Sequence, residues 1–482
     1  MRYASDRLTS VCRKRSERTH PFDPRTRRVR ARCRRAAQVC SLAMSASRCA
    51  RFLGVGVCVG VLGALVGCAQ APRERIVLIT LDTCRADALA AMPETAAFVA
   101  RGARFTQAFA ATSTTQPTHA SLLTGLHPWQ HGVTRNGDVL ADSATTVAEL
   151  LSAHGYDTAA VVASFPLTRR FGFAQGFRRF QDELRVPYAE RWEGAPVEGG
   201  RFFTLGEAVT DEALALLDGF EGARQFLWVH YFDAHDPYGD AAGDANPMPV
   251  AALLQAGHER RADVGEIVAQ ARALYTRDLA ALDHALARLL ARLARDEGFT
   301  THVILTADHG ESLGEQGCVG HGKRLVPEQV RVPLALVSPR AAPGWRDETA
   351  GSVDVAVTLL ALAGVDNPFG HGRDLTRPAA AGTFAVGMRR DFADARPEQL
   401  LDGRELPLAG ARFYVARDGR LLTGDARLVL TDDDPARPLD GPDAVELRAA
   451  FQGFQALLEG TSVESLASDE VKSALRALGY GN

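Results

Sequence analysis

The chain has 482 residues, 46% of them hydrophobic and 23% charged, with no low-complexity tract, so it can bury a large core and is expected to form one big α/β domain with an accessory piece. Its formal charge of −3 conceals an asymmetry: residues 1–67 hold 15 of the 55 basic and 3 of the 58 acidic side chains, leaving 40 basic against 55 acidic, or −15, in the remainder. That acidic remainder argues against a nucleic-acid partner.

Residues 1–43 are arginine-rich, lack apolar periodicity and read as a non-native extension ahead of a true start at Met44. Residues 44–67 read as an export signal, with Arg48 and Arg51 as its charged region and Phe52–Val66 as its apolar region. The segment is too short and glycine-rich for a permanent membrane span. Leu65-Val66-Gly67-Cys68 resembles the bacterial lipobox. That resemblance implies acylation at Cys68, an N-terminal lipid anchor and a place in the bacterial envelope, at the outer membrane, periplasm or cell surface. A plain secretory peptide or one anchor helix are the alternatives, and both export the domain. Of eight cysteines, Cys84 and Cys318 alone follow Cys68; buried free thiols are expected.

The folded region begins at Arg75–Leu81, RIVLITL, an apolar run typical of a central parallel strand. It ends on Asp82, placed either to ligate a metal or to cap a helix. Helix is expected over 94–101. In Ala111–Gly132, Pro117 suits a helix first turn and Gly125 a helix end, which puts Thr115 just before a helix N-terminus. Thr115 is then a nucleophile activated by a metal, or else Thr114 or Thr115 is only an ordinary cap. Further on, a helix is expected over 146–154, a strand over 158–164, a helix over 205–220 and a strand over 225–232. His230 on that strand is expected to point into the core. A long helix over 267–296 follows.

Val303–Lys323, VILTADHGESLGEQGCVGHGK, reads as a buried strand delivering Asp308 and His309 to its C-terminal edge, followed by a glycine-rich loop with His321 and Lys323. Ligands bind at that edge of open α/β sheets, and a carboxylate beside an imidazole suits a divalent cation. Lysine occurs only at positions 14, 323 and 472, so Lys323 reads either as a compact point charge placed for function or as an exposed loop residue. Residues 352–365 form a helix. Beyond a boundary near 367–382, strands are expected at 412–417 and 420–431 and a helix at 443–458. The DDDPARP run reads as a solvated turn, and the stretches 183–204 and 239–262 as loops walling the pocket.

The segments LDTCRAD (81–87), TTQPTHASLLTGLHPWQHGV (114–133), FDAHDPY (232–238), TADHGESLGEQG (306–317) and GHGKRLVPEQVRVPL (320–334) resemble, in order and spacing, the sulfatase family of the alkaline phosphatase superfamily, over about residues 75–365. The resemblance implies a doubly wound α/β mixed sheet flanked by helices in a catalytic domain of residues 68–380, with a small C-terminal α+β subdomain at 381–482. It implies a metal site of Asp82, Thr115, Asp308, His309 and His321, and a catalytic set of Thr115, His235, Lys323 and His119. One or two divalent cations are implied. Thr83 stands where many members have a second aspartate, which favours zinc or manganese, with calcium as the alternative. Thr115 stands where sulfatases carry a formylglycine precursor, and His119 replaces the usual arginine. The activity implied is hydrolysis of a sulfate or phosphate ester, on a small molecule or glycan, through a Thr115 alkoxide and a covalent ester. A phosphoethanolamine-type transferase on envelope glycans and an inactive surface binding protein are the alternatives.

Overall fold

The structure, a computed structural model, describes residues 73–187, 201–380, 383, 385–390, 398–406, 411–417, 420–425 and 430–432. The arginine-rich start, the signal segment with Cys68, the helix expected at 443–458 and all but the first residue of the DDDPARP run lie outside the described residues. Among the described residues, no helix is long and apolar enough to cross a membrane.

The first strand, β1 (Glu74–Leu81), is apolar on both faces because it is covered on both. It pairs in parallel with β5 (Arg224–Tyr231) on one side and β6 (Thr300–Ala307) on the other, without a break in register. The other strands of the main sheet are β2 (Ala103–Phe109), β3 (Asp157–Val161), β4 (Arg179–Gln181), β7 (Leu334–Val337) and β8 (Gly344–Gly351). The order is β8-β2-β7-β6-β1-β5-β3-β4. Since β7 runs antiparallel to both β2 and β6 while the remaining pairs are parallel, the sheet is mixed, as the family resemblance implied.

Two helix groups flank it. The long helix α6 (Val264–Arg295) packs on α1 (Pro93–Val99), α4 (Gly206–Asp218) and α5 (Val250–His258). On α6 the buried residues Tyr275, Leu279, Leu282, Leu286, Leu289 and Leu293 recur at helical spacing, giving one apolar face. The helix α7 (Ser352–Ala363) packs on α2 (Thr115–Thr124) and α3 (Val147–Ala153). At α3, Thr146 accepts from Glu149 N–H while the Glu149 carboxylate takes the Thr146 N–H, a reciprocal cap that fixes the helix start.

Two elements differ from expectation. Residues 239–262 are not all loop, since α5 occupies 250–258; its apolar face buries Leu253, Ala256 and Gly257, a signal too short to stand out in the sequence. The edge strand β8 exposes Trp345 and Asp347 and carries a register shift between Arg346 and Thr349, so it lacks an unbroken buried apolar pattern.

Beyond α7, β9 (Ala385–Arg390), β10 (Ala411–Arg417), β11 (Arg420–Asp425) and β12 (Leu430–Asp432) form an antiparallel sheet, so the single strand expected at 420–431 is divided. This small sheet is tied to the main one: Met388 N–H donates to Ala111 O at 2.9 Å and the Tyr414 hydroxyl to Ala110 O. Gly387 permits that approach, because a Cβ there would lie 2.2 Å from Tyr414 Cε1 and 2.4 Å from Ala111 O. Gly387→Ala is expected to cost about 1–3 kcal/mol through overpacking. Urea unfolding would show it as a lowered midpoint; an unchanged midpoint would contradict the close docking.

Candidate active site

Because Leu81 and Ala307 are paired neighbours, the next residues of β1 and β6, Asp82 and Asp308, emerge side by side at the C-terminal edge. Both are fully enclosed. Asp308 accepts from the backbone N–H groups of His309 at 2.8 Å and Thr83 at 3.3 Å, both through Oδ1. Asp82 Oδ2 accepts from His230 Nε2 at 3.3 Å. This leaves Asp82 Oδ1 and Asp308 Oδ2 buried without a hydrogen-bond donor. Burial and the adjacent Asp82 push the Asp308 carboxyl well above the usual carboxylate range. For Asp82 burial acts in the same sense, but the His230 hydrogen bond and the nearby His235 and His309 hold it below that range.

The third member is His309. Its Nδ1–H donates to Gly310 O at 3.0 Å, which leaves the Nε2 lone pair directed at the carboxylates, 3.4 Å from Asp308 Oδ2 and 3.8 Å from Asp82 Oδ1. Donor atoms of Asp82, Asp308 and His309 all lie within 4.8 Å of one another. Two orphaned carboxylate oxygens and an imidazole lone pair, with the other ring nitrogen anchored on a carbonyl, fit a divalent cation.

Thr115 joins this group. It is the first residue of α2, and its Oγ1 lies 3.4 Å from His309 Nε2. Thr114, not Thr115, holds the cap position, and it makes no side-chain cap bond. The adjacent Gln116 N–H is taken by Asn136 Oδ1 at 2.9 Å. Thr83 presents its backbone, not its side chain, to the site: it sits at φ 52°, a left-handed conformation rarely adopted by a β-branched residue, and its N–H serves Asp308. Its Oγ1 donates instead to Asp82 O at 2.8 Å, so it supplies no substitute for an aspartate ligand.

His119, in the second turn of α2, is fully buried. Trp228 Nε1–H donates to Thr80 Oγ1 at 3.0 Å, the Thr80 hydroxyl donates to His119 Nε2 at 3.1 Å, and His119 Nδ1–H donates to Thr115 O at 2.9 Å. Burial and the neighbouring His230 lower its pKa to about 3. A neutral ring so tethered orients the Thr115 backbone and carries no positive charge to a substrate.

Across from Thr115, three imidazoles cluster. The rings of His309 and His321 are 4.4 Å apart, and those of His321 and His235 are 5.1 Å apart. His235 stacks on Phe232 at 4.2 Å and its Nδ1–H donates to Asp236 O at 2.8 Å. His321 Nδ1 meets the buried Glu311 carboxylate at 3.2 Å. Lys323 is half-buried on the following turn. Cys84 and Cys318 are both free and buried, as expected.

Three contributors escaped sequence reasoning. His230, assigned to the core, is buried there yet directs its Nε2–H onto Asp82, while its Nδ1 accepts from Ala163 N–H at 3.2 Å. A histidine in an otherwise apolar strand, one residue before the strand end, was the available signal. Glu311, in the DHGE run, and Asn136 had no signal beyond proximity to a motif.

Removing one of the facing charges tests the reading. Asp308→Asn is expected to raise the melting temperature of metal-free protein and to abolish the zinc-induced rise. Wild type should gain about 2.7–4.1 kcal/mol at 100 to 1,000 times Kd. Equal zinc shifts in both proteins, read by thermal scanning, would contradict a cation held by Asp308.

The sulfatase family model matches residues 75–365. Arylsulfatase A of Homo sapiens is 30% identical over 352 residues, covering 64% of this chain and 67% of that protein. Among solved structures, the phosphonate monoester hydrolase of Silicibacter pomeroyi superposes with a TM-score of 0.58 at 20% identity, covering 82% of this chain and 96% of the other. BT4656, solved in complex with its substrate D-glucosamine-2-N,6-O-disulfate, gives 0.59 at 18% identity, covering 81% and 99%. The two structural likenesses establish the shared fold.

Proposed function

The chain belongs to the sulfatase family of the alkaline phosphatase superfamily, and on that premise we propose that it is a divalent-metal-dependent hydrolase of sulfate or phosphate esters that uses Thr115 Oγ1 as its nucleophile. The observation that carries this reading is Thr115 Oγ1 lying 3.4 Å from His309 Nε2, beside the orphaned oxygens of Asp82 and Asp308. Asp82, Asp308, His309 and Thr115 would hold the cation, with His321 beside them. Bound there, it would lower the pKa of the Thr115 hydroxyl and offset negative charge on the ester. The nitrogen donor favours zinc or manganese over calcium.

In the proposed reaction the Thr115 hydroxyl gives up its proton to solvent and its oxygen bonds to sulfur or phosphorus, as the bond to the leaving alcohol oxygen breaks and that oxygen takes a proton from solvent. Lys323 stabilises the equatorial oxygens, a form of electrostatic positioning that dominates such transfers. His119 holds the Thr115 backbone in place through its carbonyl. The resulting Thr115 ester cannot expel sulfate by collapsing to an aldehyde, because threonine carries one hydroxyl. Water must therefore attack sulfur or phosphorus, restoring the Thr115 hydroxyl. His235 Nε2 is suited to take the water's proton, since Nδ1–H is committed to Asp236 O. This requirement favours phosphorus esters, and the fold shared with a phosphonate monoester hydrolase is consistent with them. The disulfated glucosamine bound by BT4656 supports a sugar ester as an alternative substrate class. We also place the protein in the bacterial envelope, anchored through acylated Cys68, which mass spectrometry of the mature N-terminus would check.

The protein should be assayed against aryl sulfate, aryl phosphate monoester and diester with zinc, manganese and calcium. Thr115→Ala is expected to lower kcat by at least about 1,000-fold, as nucleophile removal does, while Thr115→Ser retains turnover. Chelation should abolish activity in both wild type and Thr115→Ser. Full activity in Thr115→Ala would remove Thr115 as nucleophile, and no metal-dependent turnover on any ester would favour a binding protein.

A further inference from the structure

We propose that Arg389, on the first strand of the small C-terminal sheet, is a positioning residue that sets Lys323 for binding substrate oxygens. The proposal rests on the reading of Lys323 as an oxyanion ligand. Arg389 is buried, and its guanidinium donates from Nε to Gly322 O and from Nη1 to Lys323 O, both at 2.5 Å. Two successive carbonyls turned toward one planar fork fix the orientation of the peptides on both sides of Lys323. Gly322 makes that turn possible: its φ is +80°, and a Cβ there would come within 3.1 Å of Thr114 Cγ2. The loop therefore lies against the residue that precedes Thr115.

The next residue is held by a second contact. Arg324 Nε reaches Glu398 Oε2 at 2.6 Å, and farther back Leu401 N–H donates to Gly317 O at 2.9 Å. Adjacent positions on β9 thus serve the two halves of the site. Met388 N–H holds Ala111, on the segment that leads to Thr115, while Arg389 holds the carbonyls around Lys323. One strand fixes the spacing between nucleophile and oxyanion ligand. A lysine at 389 would keep the charge but lose the planar two-point donation.

The test uses the full chain, metal-loaded, with inorganic phosphate as the oxyanion probe in calorimetry and an aryl ester for kinetics. Arg389→Met is expected to weaken phosphate binding by about 10-fold or more and to raise KM more than it lowers kcat. Arg389→Lys should fall between, at about 3-fold. In a Lys323→Met background, Arg389→Met should add less than about 2-fold, because both changes act on one interaction. Should Arg389→Met fail to fold, Arg389→Lys and Glu398→Gln carry the test, the latter with a smaller loss of the same sign. Wild-type phosphate affinity in the folded Arg389 variants, or effects that multiply fully with Lys323→Met, would overturn the proposal. So would a wild-type protein that binds no phosphate. A wild type that binds phosphate but turns over no ester defeats the hydrolase reading and leaves Arg389 to be judged by binding.

Discussion

Two buried carboxylates forced together by strand register are the constraint on which the rest of the site depends. Asp82 and Asp308 follow paired residues of adjacent parallel strands, so neither can move away without breaking the central sheet. Backbone donors and His230 satisfy one oxygen of each and leave the other bare. Isolated buried charge is costly by several kcal/mol per ion, and a cation is the partner that relieves both carboxylates together. The Nε2 lone pair of His309 points into the same space because Nδ1–H is committed to Gly310 O.

The surrounding polar residues orient these groups. Trp228, Thr80 and His119 form a chain of donors that ends on the Thr115 carbonyl. Ala163, His230 and Asp82 form a second. Both chains run through the interior between strands, where low dielectric strengthens each hydrogen bond and makes an unmade one expensive. The strained backbone of Thr83 belongs to the same arrangement, since its left-handed conformation brings its N–H to Asp308.

Much of this was legible in the sequence. Strand ends such as LITLD and ILTADH announce their side chains by the abrupt change from apolar to charged, and Gly125 marked the end of α2 in its left-handed conformation. His119 was legible as a site residue but not in its role: a motif places a residue without revealing whether its ring faces the substrate or the backbone behind the nucleophile. His230 is buried as expected, but its hydrogen bond to Asp82 was not legible, because burial and function coincide in it. Arg389 and Glu398 were invisible because they lie more than 60 residues from the loop they hold, and no periodicity links distant partners. The helix at 250–258 was missed because its buried face is only three residues wide.

Anomalous diffraction from zinc- or manganese-loaded crystals tests the cation site most directly. A single peak about 2.0–2.2 Å from Asp82 Oδ1, Asp308 Oδ2 and His309 Nε2 is the expected result, with Thr115 Oγ1 drawn into the same coordination sphere. A peak elsewhere, or none at these three side chains in metal-saturated protein, would contradict it.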